Sequence, residues 1–301
     1  MKVVTRFAPS PTGRLHLGHA WSAIQAHAFA RATGGDFLLR IEDIDGTRSR
    51  PEHVEAIVAD LEWLGLDWDG EIVFQSQRLR LYEQALDRLR AMGLLYPCFC
   101  TRSDIAASAS APHGPDGVLY PGTCRGLEAP DLSKPHAWRL DVQKALGRLP
   151  ILNRHPGESR DDAGISETRD SGLLFHDSFA GPTIADPASL GDVVLARKDA
   201  PASYHLAVTV DDAAQGVTNV VRGRDLFHAT HIHRLLQALL GLPNPAYTHH
   251  ALLAGPDGAR LAKRHGAPTL EAMRLDGLDG ETLGQLLREG RLPVGIGLAT
   301  D

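Results

Sequence analysis

The chain reads as an α/β protein built on a doubly wound parallel sheet, split by an insertion and followed by a short helical tail. Three observations carry that expectation. Short apolar strands alternate with amphipathic helices over residues 1–95, and the alternation resumes at about residue 191. Between 96 and 190 the pattern breaks. A proline-rich loop joins the first strand to a helix whose opening turn carries two histidines and a glycine.

The elements follow in order. Val3, Val4 and Phe7 mark a first strand, and a helix from about Gly18 carries Ala20, Ile24 and Ala28 before Gly34 and Gly35 stop it. Phe37-Leu38-Leu39-Arg40-Ile41 is a buried strand with Glu42, Asp43 and Asp45 at its carboxyl end. Pro51 suits the first turn of a helix with the stripe Val54, Ile57, Val58, Leu61 and Leu64. A further helix follows Ser76, facing Leu79, Tyr82, Leu86, Leu89 and Met92 inward until Gly93. Segments 106–117 and 153–172 are small or polar without periodicity and read as loops. The alternation resumes at Val193-Val194-Leu195-Ala196, then an apolar run from Tyr204 to Val210, then Val217 to Val221 leading into a helix over 228–239. The expected organisation is a catalytic domain over 1–95 and 191–266, an insertion over 96–190, and a short helical tail over 267–301.

At 301 residues the chain can bury a large core. No apolar run approaches a membrane span and no signal peptide precedes the first strand, so the expected location is the cytoplasm, with no membrane partner. The formal charge of −6 means that any contact with RNA must come from a local patch.

The most informative stretch is Arg6-Phe7-Ala8-Pro9-Ser10-Pro11-Thr12-Gly13-Arg14-Leu15-His16-Leu17-Gly18-His19. Its prolines keep the loop extended, and the helix start beyond it offers orphan N–H groups to a phosphate. Gly18 permits close backbone approach, with His16 and His19 as donors on either side. This segment resembles the ATP-binding signature of class I aminoacyl-tRNA synthetases, in particular the glutamyl and glutaminyl branch, whose core is a Rossmann-like sheet. The resemblance implies a second signature, a lysine loop that clamps the ATP phosphates together with Mg²⁺. Gly258-Ala259-Arg260-Leu261-Ala262-Lys263-Arg264-His265-Gly266 fills that slot, with Lys263 as the phosphate ligand.

For the amino acid, the resemblance implies a glutamate pocket made by Arg6, Ser10, Glu42, Tyr204 and Arg222. The chemistry suits those residue types: an arginine fork captures a carboxylate, and Glu42 matches the substrate ammonium.

All three cysteines, Cys98, Cys100 and Cys124, fall in one short region of the insertion. Three is an odd number, which argues against a disulfide framework. Three thiolates leave one vacancy in a tetrahedral zinc site, and a histidine such as His113 is the commoner filler. The resembled subfamily fills it with tyrosine, which Tyr120-Pro121-Gly122-Thr123-Cys124 reproduces. The expected zinc is structural.

Departures from the branch narrow the resemblance. It covers roughly residues 1–270 and leaves out the anticodon-binding domain of a full glutamyl enzyme. Val208 stands where glutamyl enzymes usually have asparagine, and Ala262 where the lysine loop more often has serine. With the cysteine and tyrosine set, these features resemble the glutamyl-Q tRNA(Asp) synthetases. Such a likeness implies an ATP-dependent ligase, a monomer, that activates L-glutamate and transfers it to queuosine in the anticodon loop of tRNA(Asp). The other readings are a truncated glutamyl-tRNA ligase charging an acceptor end, a non-enzymatic RNA-binding paralogue, and a small nucleotidyltransferase.

Overall fold

The computed structural model describes residues 2–106, 113–114, 117–152, 173–258, 260–261 and 268–299. In chain order the first half is β1 (Val4–Phe7), α1 (Leu17–Ala32), β2 (Asp36–Ile41), α2 (Pro51–Trp63), β3 (Val73–Phe74) and α3 (Leu79–Ala91). There follow β4 (Leu95–Cys98), α4 (Arg102–Ala106), β5 (His113–Gly114), β6 (Gly117–Val118), β7 (Ala137–Leu140) and α5 (Val142–Leu152). Next come β8 (Leu174–Asp177), β9 (Gly181–Ile184), β10 (Val194–Ala196), α6 (Tyr204–Ala214), β11 (Asn219–Gly223), α7 (Ala229–Leu240) and β12 (Ala246–His250). The chain closes with β13 (Leu253–Ala254), α8 (Leu270–Leu275), α9 (Gly280–Arg288) and β14 (Gly297–Leu298).

Two sets of parallel strands meet side by side. In one, β1 pairs with β2 and β2 with β3. In the other, β12 lies between β11 and β8, parallel to both. The sets join where Thr218 N–H donates to the Val4 carbonyl at 3.0 Å and Val4 N–H donates to Thr218 Oγ1 at 2.9 Å. From β1 the chain winds outward through β2 and β3, and from β11 it winds the other way through β12. The carboxyl ends of β1 and β11 thus flank a topological switch point, the usual place for a ligand in such sheets.

The helices form as their sequences demand. Small residues on α1 (Ala20, Ala23, Ala26, Ala30) let its backbone lie close to the sheet, and Pro51 occupies the first turn of α2. One core gathers α1, β1, β2 and α2 around Ile24, Phe37, Leu39 and Leu61. The other gathers α3, α6 and α7 around Tyr82, Leu86, Leu206, Ile232 and Leu236. The tail helices belong to the first core through Leu270, Leu283 and Leu287.

Two strand expectations need correction. Val194–Ala196 does not resume the parallel sheet: β10 pairs antiparallel with β7, which pairs antiparallel with β4. Conversely β8, inside the segment read as insertion, pairs with β12 at Tyr247, and β9 covers its far edge antiparallel. Apolar strands of three or four residues carry no signal of direction or partner, so periodicity could not assign them. The run at 204–210 is the start of helix α6, buried on nearly every side, which erases its stripe. Most of the two segments read as loops, 106–117 and 153–172, lies outside the described residues.

Candidate active site

A cleft of about 480 Å³ opens beyond the carboxyl ends of β1, β2 and β11. Arg6, Ser10, His16, Gly18, His19, Glu42, Tyr204 and Arg222 all line it. Residues separated by two hundred positions in sequence are therefore brought to one wall-to-wall space.

The histidine motif is organised by the start of α1. His16 is the N-cap: its Nδ1 accepts from the Gly18 N–H at 3.1 Å, while its own N–H donates to Nδ1 of His19 at 3.1 Å. The two rings lie 3.8 Å apart between centroids. Because each Nδ1 accepts a backbone proton, the neutral ring carries its proton on Nε2. Gly18 also has a structural reason to be glycine. A Cβ there would sit 3.0 Å from Cε1 of His16, so glycine makes room for the capping imidazole.

Below the histidines lies a buried charge network. Asp212 on α6 accepts from Nε of Arg6 at 3.0 Å and from Nη1 of Arg40 at 2.8 Å. Arg40 is wholly buried in β2, with Glu42 Oε1 at 3.5 Å and Asp211 at 3.8 Å. Asp211 in turn accepts from Gln75, Arg78 and Tyr82. Burial pushes the Asp212 carboxyl up, but Arg6 and Arg40 outweigh it and hold the group below its usual range. At Glu42 the balance reverses. Burial pushes its carboxyl up to about 7 against the pull of Arg40 and Arg6.

Arg222, at the end of β11, is 5% exposed. Its Nε donates to His249 Nε2 at 3.0 Å, Nη1 to the Tyr204 hydroxyl at 3.1 Å, and Nη2 to Thr230 Oγ1 at 2.6 Å and the Leu226 carbonyl at 3.1 Å. Among the described residues none of its partners is a carboxylate. A buried guanidinium surrounded by neutral acceptors and facing a cleft is a site for an anion.

Lys263 lies outside the described residues, as does Ala262. The chain on either side of them is at the cleft. Leu261 lines it, and Thr269 bridges to His16 while Leu270 N–H donates to the Leu15 carbonyl at 3.0 Å. Arg260 Nη2 donates to Asp225 at 2.5 Å, anchoring the first flank to the turn after β11.

In the insertion, the sulfurs of Cys98, Cys100 and Cys124 lie within 4.8 Å of one another, all as free cysteines. The Cys100 and Cys124 sulfurs are 3.6 Å apart, and the Tyr120 hydroxyl is 3.7 Å from Cys100. Ligands about 2.3 Å from a tetrahedral cation stand roughly 3.8 Å apart, so the donor set fits. Cys124 N–H donates to the Tyr120 oxygen at 2.7 Å, turning it into the cluster, and the Arg139 guanidinium covers the tyrosine ring at 3.9 Å. The side chain of His113 lies outside the described residues.

Comparison with known proteins gives a consistent outcome. The family "tRNA synthetases class I (E and Q), catalytic domain" matches residues 2–116 and 165–292. A glutamyl-Q tRNA(Asp) synthetase of Rhodobacter capsulatus is 47% identical over 95% of this chain and 99% of its own length. Another, of Symbiobacterium thermophilum, is 48% identical over 92% of this chain and 83% of its own. The chain belongs to the glutamyl-Q tRNA(Asp) synthetase family of class I tRNA synthetases. Members are ligases of the class that uses ATP and Mg²⁺. A solved glutamate tRNA ligase of Elizabethkingia meningosepticum, in complex with its amino acid, superposes with a TM-score of 0.72 at 26% identity. That match covers 96% of this chain and 60% of the ligase, so the chain spans about three fifths of the larger enzyme.

The expected site residues do not include Arg40, Asp211, Asp212, Asp177 or His249. A signal for three of them was there. Arg40 stands inside the apolar strand at 37–41, and Asp211-Asp212 follow directly on the largely apolar run at 204–210. Charges at core positions are stable only when paired, so each predicted a partner without naming it. Among the described residues no helix is long and apolar enough to cross a membrane.

Proposed function

We propose that the cleft activates L-glutamate with ATP and transfers it to the queuosine nucleoside of the tRNA(Asp) anticodon loop. The observation that carries this reading is the shared wall: an anion-seeking Arg222, a carboxylate at Glu42 and the His16–His19 pair line one cavity. The names of relatives matching nearly end to end supply the acceptor.

In this reading Arg222, with Tyr204 and Arg6, holds the side-chain carboxylate of glutamate, and Glu42 and Ser10 hold its ammonium end. The α-carboxylate is then free to attack the α-phosphorus of ATP in line, forming a C–O–P bond as the bond to pyrophosphate breaks. His16 and His19 donate from Nε2 to phosphate oxygens, and Lys263 follows the departing pyrophosphate from the loop whose flanks reach the cleft. Positioning and charge neutralisation supply the rate. Mg²⁺ adds positive charge at the phosphates when bound with ATP. In the second step a hydroxyl of the queuosine cyclopentene attacks the activated carbonyl to form an ester bond, its proton passing to solvent, as AMP leaves carrying the bonding pair on its phosphate oxygen. Presenting that nucleoside requires a loop base splayed into the cleft, the usual mode of single-stranded RNA recognition. Cys98, Cys100, Cys124 and Tyr120 would hold a structural zinc that closes the insertion.

The test is transfer of radiolabelled glutamate to tRNA(Asp) with and without queuosine, followed by nuclease mapping. Label in the anticodon fragment of the queuosine-bearing tRNA alone is the expected result. Label on the terminal adenosine of tRNA(Glu) would mean a minimal glutamyl-tRNA ligase instead.

A further inference from the structure

Behind Arg222 stands a second pair that none of the roles above uses. Asp177, on β8, and His249, on β12, have side chains that are fully buried, with His249 Nδ1 2.6 Å from Asp177 Oδ2. Asp177 is saturated with donors. Its Oδ1 accepts from the N–H groups of Phe179 and Ala180, both at 2.9 Å, and its Oδ2 also accepts from the His249 N–H at 3.3 Å. The His249 ring is stacked on Tyr247, 5.8 Å between centroids at an interplanar angle of 5°, with Phe227 edge-on at 5.2 Å.

We propose that Asp177 and His249 are positioning residues that make Arg222 a reader of carboxylate over carboxamide. This rests on the reading of Arg222 as the holder of the glutamate side chain. Asp177 offers only acceptors, so the proton of the neutral ring sits on Nδ1 and the Nε2 lone pair faces the Arg222 Nε–H. Burial, then the Arg222 charge, hold the ring neutral, well below its ordinary range, at about 4. The consequence lies in what is not placed against Arg222. A carboxylate in the position of His249 would orient the guanidinium equally well but would cancel its charge. Glutamine would then bind nearly as well as glutamate. With the aspartate set one imidazole further back, Arg222 is oriented by neutral groups, including His233 Nδ1 at 3.4 Å, and keeps its demand for an anion.

Asp177→Asn probes the device. The backbone amides of Phe179 and Ala180 keep the amide oxygen, so the new NH₂ faces Nδ1. The ring must then carry its proton on Nε2, against the N–H of Arg222. In pyrophosphate exchange, the KM for glutamate is expected to rise about 5- to 100-fold, the range for one lost charge-assisted hydrogen bond, with little change in kcat. The preference for glutamate over glutamine should fall by the same factor. An unchanged KM and preference overturns the proposal. The tautomer is read directly by ¹⁵N NMR of histidine-labelled wild-type protein without substrate, the His249 signals assigned by their loss in His249→Gln. A protonated Nδ1 and a bare Nε2 are expected, and the opposite pattern overturns the proposal even if Asp177→Asn does not fold. Since that measurement needs no glutamate, failure of wild-type protein to activate glutamate at all would instead strike the functional reading.

Discussion

His16 and His19 are each other's scaffold: the N–H of His16 donates to the ring of His19 at 3.1 Å, while the ring of His16 caps the Gly18 N–H at the same distance. One motif therefore starts helix α1 and, on the proposed reading, also serves the phosphates in the cleft that both residues line.

Those jobs separate by substitution. His16→Asn keeps a good N-cap, so its thermal stability should stay near wild type. It removes the Nε2 donor, so glutamate-dependent pyrophosphate exchange should fall about 100-fold, as for one preorganised donor. His16→Ala loses the cap as well and should cost a further ~1 kcal/mol in urea unfolding. Equal exchange rates in His16→Asn and wild type would remove the ring from the chemistry.

On the proposed reading, Glu42 should make glutamate binding depend on pH. Burial, opposed by Arg40 and Arg6, raises its carboxyl to about 7, so the empty pocket is largely protonated below that pH. Holding an ammonium requires the ionised form, so the glutamate KM should fall as pH rises through about 7. The stability sign is opposite. Between the unfolded value near 4.5 and about 7 the folded state binds the extra proton, so this group's contribution to stability declines as pH rises across that window. Glu42→Gln should flatten both trends, weakening glutamate binding while making the empty protein less sensitive to pH. Melting profiles from pH 4.5 to 7.5 and KM profiles from pH 6 to 8.5 decide it.

The cysteine cluster makes a compositional prediction. Elemental analysis should find about one zinc per chain, and Tyr120→Phe should loosen it without emptying the site, since three sulfurs remain. Because Cys98, Tyr120 and Cys124 pack as a cluster apart from both main cores, chelation should lower the melting temperature of the insertion before it affects pyrophosphate exchange. Metal-free protein with three titratable thiols in the folded state would refute the site.

How much of this was written in the sequence divides along physical lines. The signature loop, the starts and stops of α1, α2 and α3, and the cysteine cluster were legible because each depends on local rules: capping, proline and glycine geometry, ligand spacing. Arg40 and Asp212 were visible as misplaced charges but not as a pair, since their contact joins β2 to α6 across 172 positions. Asp177 was hidden more deeply. Its strand lies in a stretch read as insertion and reaches the site only by pairing with β12. Strand order is a tertiary choice made by core packing, and short apolar runs do not encode it.

Lys263 is the remaining test of the phosphate end. The described chain reaches the cleft at Leu261 and returns at Thr269, which bridges to His16, so one flank of the lysine segment lines the cleft and the other is tied to the histidine motif. On the proposed reading Lys263 acts on phosphates held by His16 and His19, and the flexible stem of a lysine lets its charge follow pyrophosphate as it departs. Lys263→Ala should therefore lower pyrophosphate exchange by about two to three orders of magnitude while leaving the glutamate KM near wild type, because the charge acts on the transition state and not on the amino acid. Lys263→Arg should recover part of the rate, since it restores charge with a stiffer, planar head. A rise in glutamate KM with kcat unchanged would place Lys263 in the amino-acid pocket instead, and an unchanged rate would remove it from the mechanism.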